Sequence, residues 1–276
     1  MKKWKRFAAL AAAVLLLALF CLPMVFALAG IRTGEFYQGL FQASFFGALF
    51  AAVMGYAIWM IYRLLNRKSR EKEGENMIKN VIFDVGRVLV AFDWEEYLRG
   101  FGFSEEKYEK IAEATFMSPV WPERDRGLYD EEEYIRQFTA LAPEYAEDIR
   151  RVVQGSTKTI RPYSYAETWV RYLKEQGYRL YILSNYSDYM LKGTMEKLTF
   201  LKYMDGIIFS CKVKELKPEA GIYKTLLEKY GLKPEESVFV DDMEENCDSA
   251  RKLGIHAVCF RDFKQAAADL EKLGVK

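Results

Sequence analysis

An α/β fold, built on a parallel sheet with helices over both faces, is predicted by three observations. Short apolar runs that end in polar groups recur at Val81 to Phe83, Leu180 to Leu183 and Val238 to Val240. Helix-like segments of about 10 to 15 residues separate the later runs, and strands alternating with helices of that length form parallel sheets. Three of those segments stop at a glycine, at Gly177, Gly231 and Gly254, the usual signal of a helix C-terminus.

In order, the first strand is read at Asn80 to Asp84. A polar, aromatic-rich region from Trp94 to Gln154 follows, too long for a simple crossover and therefore a helical cap inserted after that strand. Cap helices are expected at Glu95 to Arg99, Glu105 to Phe116, Glu131 to Leu141 and Glu144 to Val153, with Pro119, Pro122 and Pro143 as breaks. The sheet then resumes. Helices at Ala166 to Gln176, Asp188 to Leu198, Glu219 to Tyr230, Glu244 to Leu253 and Asp262 to Leu273 alternate with strands at Tyr178 to Ser184, Gly206 to Ser210, Ser237 to Asp241 and His256 to Phe260. The core domain is thus 77–93 and 155–276, and the cap is 94–154.

Residues 1–65 read differently. Phe7 to Ala29 and Leu40 to Tyr62 are two stretches of 23 residues without an Asp, Glu, Lys or Arg, each long enough to span a bilayer. Lys2, Lys3, Lys5 and Arg6 precede the first, and Arg63, Arg67, Lys68, Arg70 and Lys72 follow the second, which places both ends in the cytoplasm. The expectation is a transmembrane hairpin with spans at 7–29 and 40–62, a charged linker at 66–76 and a cytoplasmic soluble domain. Two alternatives stand beside it: Ala27-Leu28-Ala29 resembles a signal-peptide cleavage site, and a soluble cytoplasmic product could start at Met77. A formal charge of +1 argues against nucleic acid as a partner. Cys21, Cys211, Cys247 and Cys259 lack metal-ligand or paired spacing, as reduced thiols would.

In an open parallel sheet, ligands bind outside the carboxyl ends of the strands. Asp84, Ser184-Asn185 and Asp241-Asp242 all sit at such ends, with Lys217-Pro218 between the last two in sequence. A carboxylate held there can attack phosphorus, and adjacent acids suit a hard divalent cation such as Mg²⁺, which takes one or two carboxylates plus phosphate and water. Lys217 offers a point charge suited to phosphate. Taken singly, each has an ordinary explanation: an Asx turn at Asp84, caps at Ser184 and Asp241-Asp242, a surface lysine at Lys217.

In this order, Asp84, Ser184-Asn185, Lys217-Pro218 and Asp241-Asp242 with Asn246 resemble the four motifs of the haloacid dehalogenase (HAD) superfamily, whose fold is a Rossmann-like parallel sheet. The likeness runs over about Ile78 to Lys276, and the first motif, Asp-x-Gly-x-Val, is similar to that of sugar-phosphate phosphatases such as those acting on glucose 1-phosphate. The resemblance implies a Mg²⁺-dependent phosphatase of a small phosphorylated metabolite. It makes Asp84 the nucleophile, with the metal on Asp84, Asp242 and the main-chain carbonyl of Gly86. It also implies that Ser184 and Asn185 hold the phosphoryl group, that Lys217 neutralises Asp84 and the phosphate, and that Asp241 and Asn246 form a supporting shell.

Two positions depart from the pattern. Many phosphatases of this superfamily carry a second aspartate two positions after the nucleophile as acid and base, and here Gly86 stands there; Asp125 of the cap is a candidate substitute, or else forms a salt bridge to Arg126 or a turn. Arg87 replaces the usual Gly or Asn, and either grips a second anionic group or points outward. Dehalogenation at carbon, or a catalytically weak phosphate-binding module at the membrane, remains open as an alternative. His256, the single histidine, opens a strand and reads as structural, while Trp94, Trp121, Tyr129 and Tyr134 either line a sugar-binding mouth or simply pack. Substrate identity and oligomeric state are not legible in residue types.

Overall fold

The computed structural model describes residue 47, residues 53–57, 59 and 60, and residues 77–276. It divides into two units, 1–74 and 75–276. Residues 53–57 of the first are helical, with Val53, Met54 and Tyr56 exposed. Among the described residues no helix is long and apolar enough to cross a membrane. The first expected span, 15 of the 23 residues of the second, the linker and Cys21 lie outside the described residues.

In the second unit, five parallel strands are ordered β5-β4-β1-β6-β7: β1 Asn80–Phe83, β4 Arg179–Ser184, β5 Gly206–Phe209, β6 Ser237–Asp241 and β7 His256–Cys259. β1 lies at the centre, pairing Phe83 with Ile182 on one side and with Val240 on the other. All four of its residues are buried, because helices cover both faces and leave no position for a polar alternation. Alternate residues along each strand serve different cores. Val81, Phe83, Leu180, Ile182, Val238 and Val240 pack on one face with Trp169 and Val170, whereas Ile82, Tyr181, Leu183 and Phe239 pack on the other with Ile222, Tyr223 and Leu226.

Helices α6 (Ala166–Glu175), α7 (Asp188–Thr194), α8 (Ser210–Val213), α9 (Ala220–Tyr230), α10 (Glu244–Lys252) and α11 (Phe263–Lys272) make the crossovers, after five in the cap: α1 (Trp94–Arg99), α2 (Glu105–Ala114), α3 (Val120–Arg126), α4 (Glu131–Leu141) and α5 (Ala146–Gln154). Gly231 ends α9 with φ of 61°, a left-handed cap that a residue with a side chain would resist. The cap helices bury a core of their own around Leu98, Ile111, Ile135, Phe138, Ile149 and Val152.

Several boundaries differ from the sequence reading. The helix after β4 turns into a tighter 3-10 coil at Met195–Lys197, and α2 ends at Ala114 rather than Phe116. Proline explains two more. Pro143 opens a 3-10 turn ahead of α5, which therefore starts at Ala146, and Pro122 breaks nothing, since it sits in the first turn of α3, where backbone N–H groups have no helical acceptor to lose. An antiparallel ribbon, β2 (Val90–Phe92) with β3 (Ile160–Pro162), was not expected and joins the two ends of the cap insertion. Three-residue strands nearly 70 positions apart carry too little periodicity to be read.

Candidate active site

The carboxyl ends of β1, β4 and β6 meet at one rim of the sheet. Asp84 follows β1 directly, and its N–H donates to Val240 O at 2.9 Å, continuing the β1–β6 ladder by one rung. That rung sets the Asp84 side chain beside Asp241, the last residue of β6. Lys217 arrives from the loop before α9 and places Nζ 2.8 Å from Asp84 Oδ1 and 2.6 Å from Asp241 Oδ2. The contact with Asp84 is an ion pair without hydrogen-bond alignment, so Asp84 Oδ1 keeps an unfilled acceptor. The Ser184 hydroxyl, at the end of β4, favours the charged form of Asp84.

Asp241 is fully engaged. Its Oδ1 accepts from Asn246 Nδ2 at 2.9 Å and from the Met243 N–H at 2.8 Å, while Oδ2 takes Lys217. Asn246 is itself anchored through its carbonyl by the Tyr223 hydroxyl. Asp242, half-buried, accepts no hydrogen bond or ion pair at its carboxylate among the described residues. The Gly86 carbonyl likewise stays out of the bonds that close its turn, which are Arg87 N–H to Val90 O and the Leu89 and Val90 N–H groups to Val85 O.

The Asn185 side-chain amide spends both ends on the Lys217 main chain: Nδ2 donates to Lys217 O at 3.0 Å and Oδ1 accepts Lys217 N–H at 2.9 Å. The amide thereby fixes where the lysine side chain starts, next to the cis Lys217-Pro218 bond. Arg87 is exposed, pointing outward, and its φ of 57° lies in the left-handed region. Gly and Asn occupy that region at lower cost than other residues do.

Two carboxylates therefore share one buried ammonium, and a third, Asp242, lies beside them. Burial, the largest influence, raises the Asp84 carboxyl above its ordinary value, Lys217 pulls it down, and Asp241 adds to the rise. Burial, then Asp84 and Asp241, pushes Asp242 up to about 6. Lys217 moves upward too, because Asp241 and Asp84 outweigh the opposing effect of burial. The imbalance is the signature of a cation site: oxygen atoms of Asp84, Asp241 and Asp242 lie within 4.8 Å of one another, and two of these carboxylates are hard to ionise together without added positive charge. With Asp241 committed to its own bonds, Asp84, Asp242 and the Gly86 carbonyl are the oxygens left to hold Mg²⁺.

The cap closes over this rim. Arg126 of α3 forms a bidentate pair with Glu219 (3.0 and 2.6 Å), two residues beyond Lys217, and Ser210 Oγ donates to the Asp125 carbonyl at 2.5 Å. The Asp125 carboxyl feels Asp84 and Lys217 electrostatically, and the Ser187 N–H favours its charged form. The aromatic candidates divide: Trp94 stacks on Phe116, Trp121 meets Phe92, Phe116 and Phe138, and Tyr134 is buried with its hydroxyl on Glu123 O, so all three serve packing. Tyr129 alone is exposed, over a cleft of about 580 Å³ bordered by Arg124, Ser187, Tyr189 and Lys214. His256 is exposed at the amino end of β7, the opposite end of that strand from the rim.

Sequence reasoning missed Ser187, Ser210, Arg126 and Glu219. Ser187 could have been found as the N-cap of α7, whereas nothing local marks Ser210 as a cap contact.

The fold and this arrangement define an α/β protein with an inserted helical cap and a carboxylate-rich centre at the carboxyl ends of its strands. A model of haloacid dehalogenase-like hydrolases matches residues 103–260, over half of the chain, and the chain belongs to that family. The match takes in Ser184, Lys217, Asp241 and Asp242 and begins after Asp84. Flavin mononucleotide hydrolase 1 of Arabidopsis thaliana is 26% identical over 160 residues, which cover 56% of this chain and 62% of that protein, so the chain spans under two thirds of that relative. D-ribitol-5-phosphate phosphatase of Bacteroides thetaiotaomicron is 23% identical over 197 residues, covering 64% of this chain and 89% of its own. Among solved structures, a HAD family enzyme of Bacteroides thetaiotaomicron in complex with magnesium and inorganic phosphate superposes with a TM-score of 0.53 at 25% identity, over 67% of this chain and 97% of that one.

Proposed function

We propose that the chain hydrolyses a small phosphomonoester through an aspartyl phosphate on Asp84, with Mg²⁺ as cofactor. One observation carries this reading: Asp84, Asp241 and Asp242 converge within 4.8 Å, the first two paired with the buried Lys217 ammonium, at the strand ends where a family of hydrolases works. The Asp84 carboxylate attacks phosphorus as the ester P–O bond breaks, and water then attacks the same phosphorus, returning the carboxylate. Lys217, held by Asn185 and Asp241, stabilises negative charge on Asp84 and on the phosphoryl oxygens. Asp84, Asp242 and the Gly86 carbonyl would hold Mg²⁺, which would neutralise charge on the transferring group. Relatives named for flavin mononucleotide and for D-ribitol 5-phosphate support a small phosphorylated metabolite, and the closed cap, which leaves Asp84 only 7% exposed, supports small size.

A panel of p-nitrophenyl phosphate, sugar phosphates and alditol phosphates tests it. Phosphate release is expected with Mg²⁺, lost in EDTA and restored by added Mg²⁺. No release from any member, or release indifferent to EDTA, overturns the reading, and halide release from 2-haloacids in EDTA would point to carbon chemistry instead.

Placement at the inner face of a membrane is a second part of the proposal. It is supported by the two uncharged 23-residue stretches and their basic flanks. The full chain is expected to stay in the membrane pellet through alkaline carbonate washing; recovery in the supernatant would end this part.

A further inference from the structure

Phosphate-ester hydrolysis at neutral pH benefits from a group that protonates the departing alkoxide, and Gly86 cannot do this. The site has room for such a group, since a Cβ built on Gly86 would meet nothing within 4 Å. Carboxylates of the rim are otherwise committed: Asp84 to attack, Asp241 to Lys217, Asn246 and Met243, and Asp242 to the cation. A further acid comes from the other domain: Asp125 of the cap, in no ion pair among the described residues, feels the charges of Asp84 and Lys217. We propose that Asp125 of the cap is the general acid and base of the reaction, giving its proton to the leaving-group oxygen as the P–O bond breaks and taking one from the water that attacks the aspartyl phosphate. The inference rests on the phosphatase reading and deepens it.

Asp125 is positioned from both sides. Its carbonyl is held by Ser210 Oγ, which also accepts the Tyr186 N–H at 2.9 Å, so the cap backbone is tied to the loop that follows β4. On its C-terminal side, Arg126 locks onto Glu219 and the Lys214 ammonium donates to the Gly127 carbonyl. Gly127 adopts φ of 72° and would crowd Cys211 if it carried a side chain, so the chain can turn away immediately after Asp125 only with glycine there. The Ser187 N–H, three residues beyond Ser184, favours the charged form of the carboxyl.

The charged and titratable groups around it decide its protonation. Arg124, from its own helix, and Lys217 favour the carboxylate; Asp84 disfavours it; Tyr186 and Cys211 from the core face it as neutral groups. Burial outweighs the rest and pushes Asp125 up to about 7, so near neutral pH the group can both give and accept a proton. Atoms balance over the cycle: the proton lost to the alcohol is recovered from water, whose oxygen ends on phosphate.

The test compares two leaving groups on the full chain. A primary alkyl phosphate needs protonation of its alkoxide, whereas p-nitrophenolate leaves without it. Asp125→Asn is expected to lower kcat/KM for the alkyl ester by ~10² to 10⁴ and for p-nitrophenyl phosphate by less than about tenfold, while phosphoenzyme accumulates from the latter because water attack has lost its base. The fall of kcat/KM for the alkyl ester above pH of about 7 should vanish in the variant, since the protonated acid is the active form and is lost on that side. Adding Gly86→Asp to Asp125→Asn should recover part of the alkyl-ester rate. Equal losses on both substrates, as a merely structural role would give, or an unchanged alkaline limb, overturns the proposal. A wild-type chain inactive on both esters, by contrast, removes the phosphatase reading beneath it.

Discussion

Asp84→Asn is expected to reduce phosphate release by a factor on the order of 10⁴ to 10⁶, the scale seen when a covalent nucleophile is deleted. Asparagine keeps the shape but cannot attack phosphorus, so no covalent phosphate should form on rapid quenching. The fold should not suffer. Three carboxylates lie together at this rim with one ammonium paired to two of them, and removing one negative charge relieves Asp242, whose elevated protonation range reflects burial first and then Asp84. A melting temperature equal to or above that of the unaltered chain is therefore expected, consistent with active-site residues being kept at some cost to stability. Retained phosphoenzyme, or a marked fall in melting temperature, would contradict the assignment of Asp84 as a strained nucleophile.

The second large effect concerns the fold of the cap. Glu131→Ala should destabilise the protein by about 3 to 5 kcal/mol, the cost of leaving a buried charge without its partner. Arg124 is that charge: its side chain is 1% exposed, its Nε and Nη2 bond Glu131 at 3.1 and 2.5 Å, and its guanidinium lies over the Trp121 and Tyr189 rings at 5.0 and 5.1 Å. Its remaining hydrogen bonds, both to Ser156 Oγ at 3.4 Å, are long. Arg124→Met should cost less, because methionine fills similar space against the aromatic rings while Glu131, 22% exposed, can be hydrated in place. Urea unfolding of the two variants decides the matter, and a smaller loss for Glu131→Ala than for Arg124→Met would refute the buried-charge account.

How far the site could be read ahead of the structure depends on the range of the interactions involved. Asp84, Ser184 and Asp241 were legible because a buried parallel strand announces itself as an apolar run, and the polar residue that ends it must emerge at the carboxyl rim. Lys217 was legible only through its company. The bonds of Asn185 to the Lys217 main chain, 32 positions away, were not legible, because a side-chain amide can bond any peptide group. Arg87 stood out as an unusual residue, but only the backbone reveals that its position is left-handed. Asp125 was visible as a cap carboxylate; that it reaches the rim depends on Ser210, Ser187 and Glu219, none of which has a local reason to meet it.

The order of strands and helices, the insertion between β1 and β4 and the acids at strand ends are properties of the chain read locally. Hydrophobic periodicity and helix-stop glycines act over a few residues, so they survive in a one-dimensional text. What folding alone decided is which polar groups are paired: Lys217 between two aspartates, Arg124 against Glu131, the cap's Arg126 on Glu219. Such pairings form because burial makes an unmatched charge costly, and burial is a property of the assembled layers rather than of any segment.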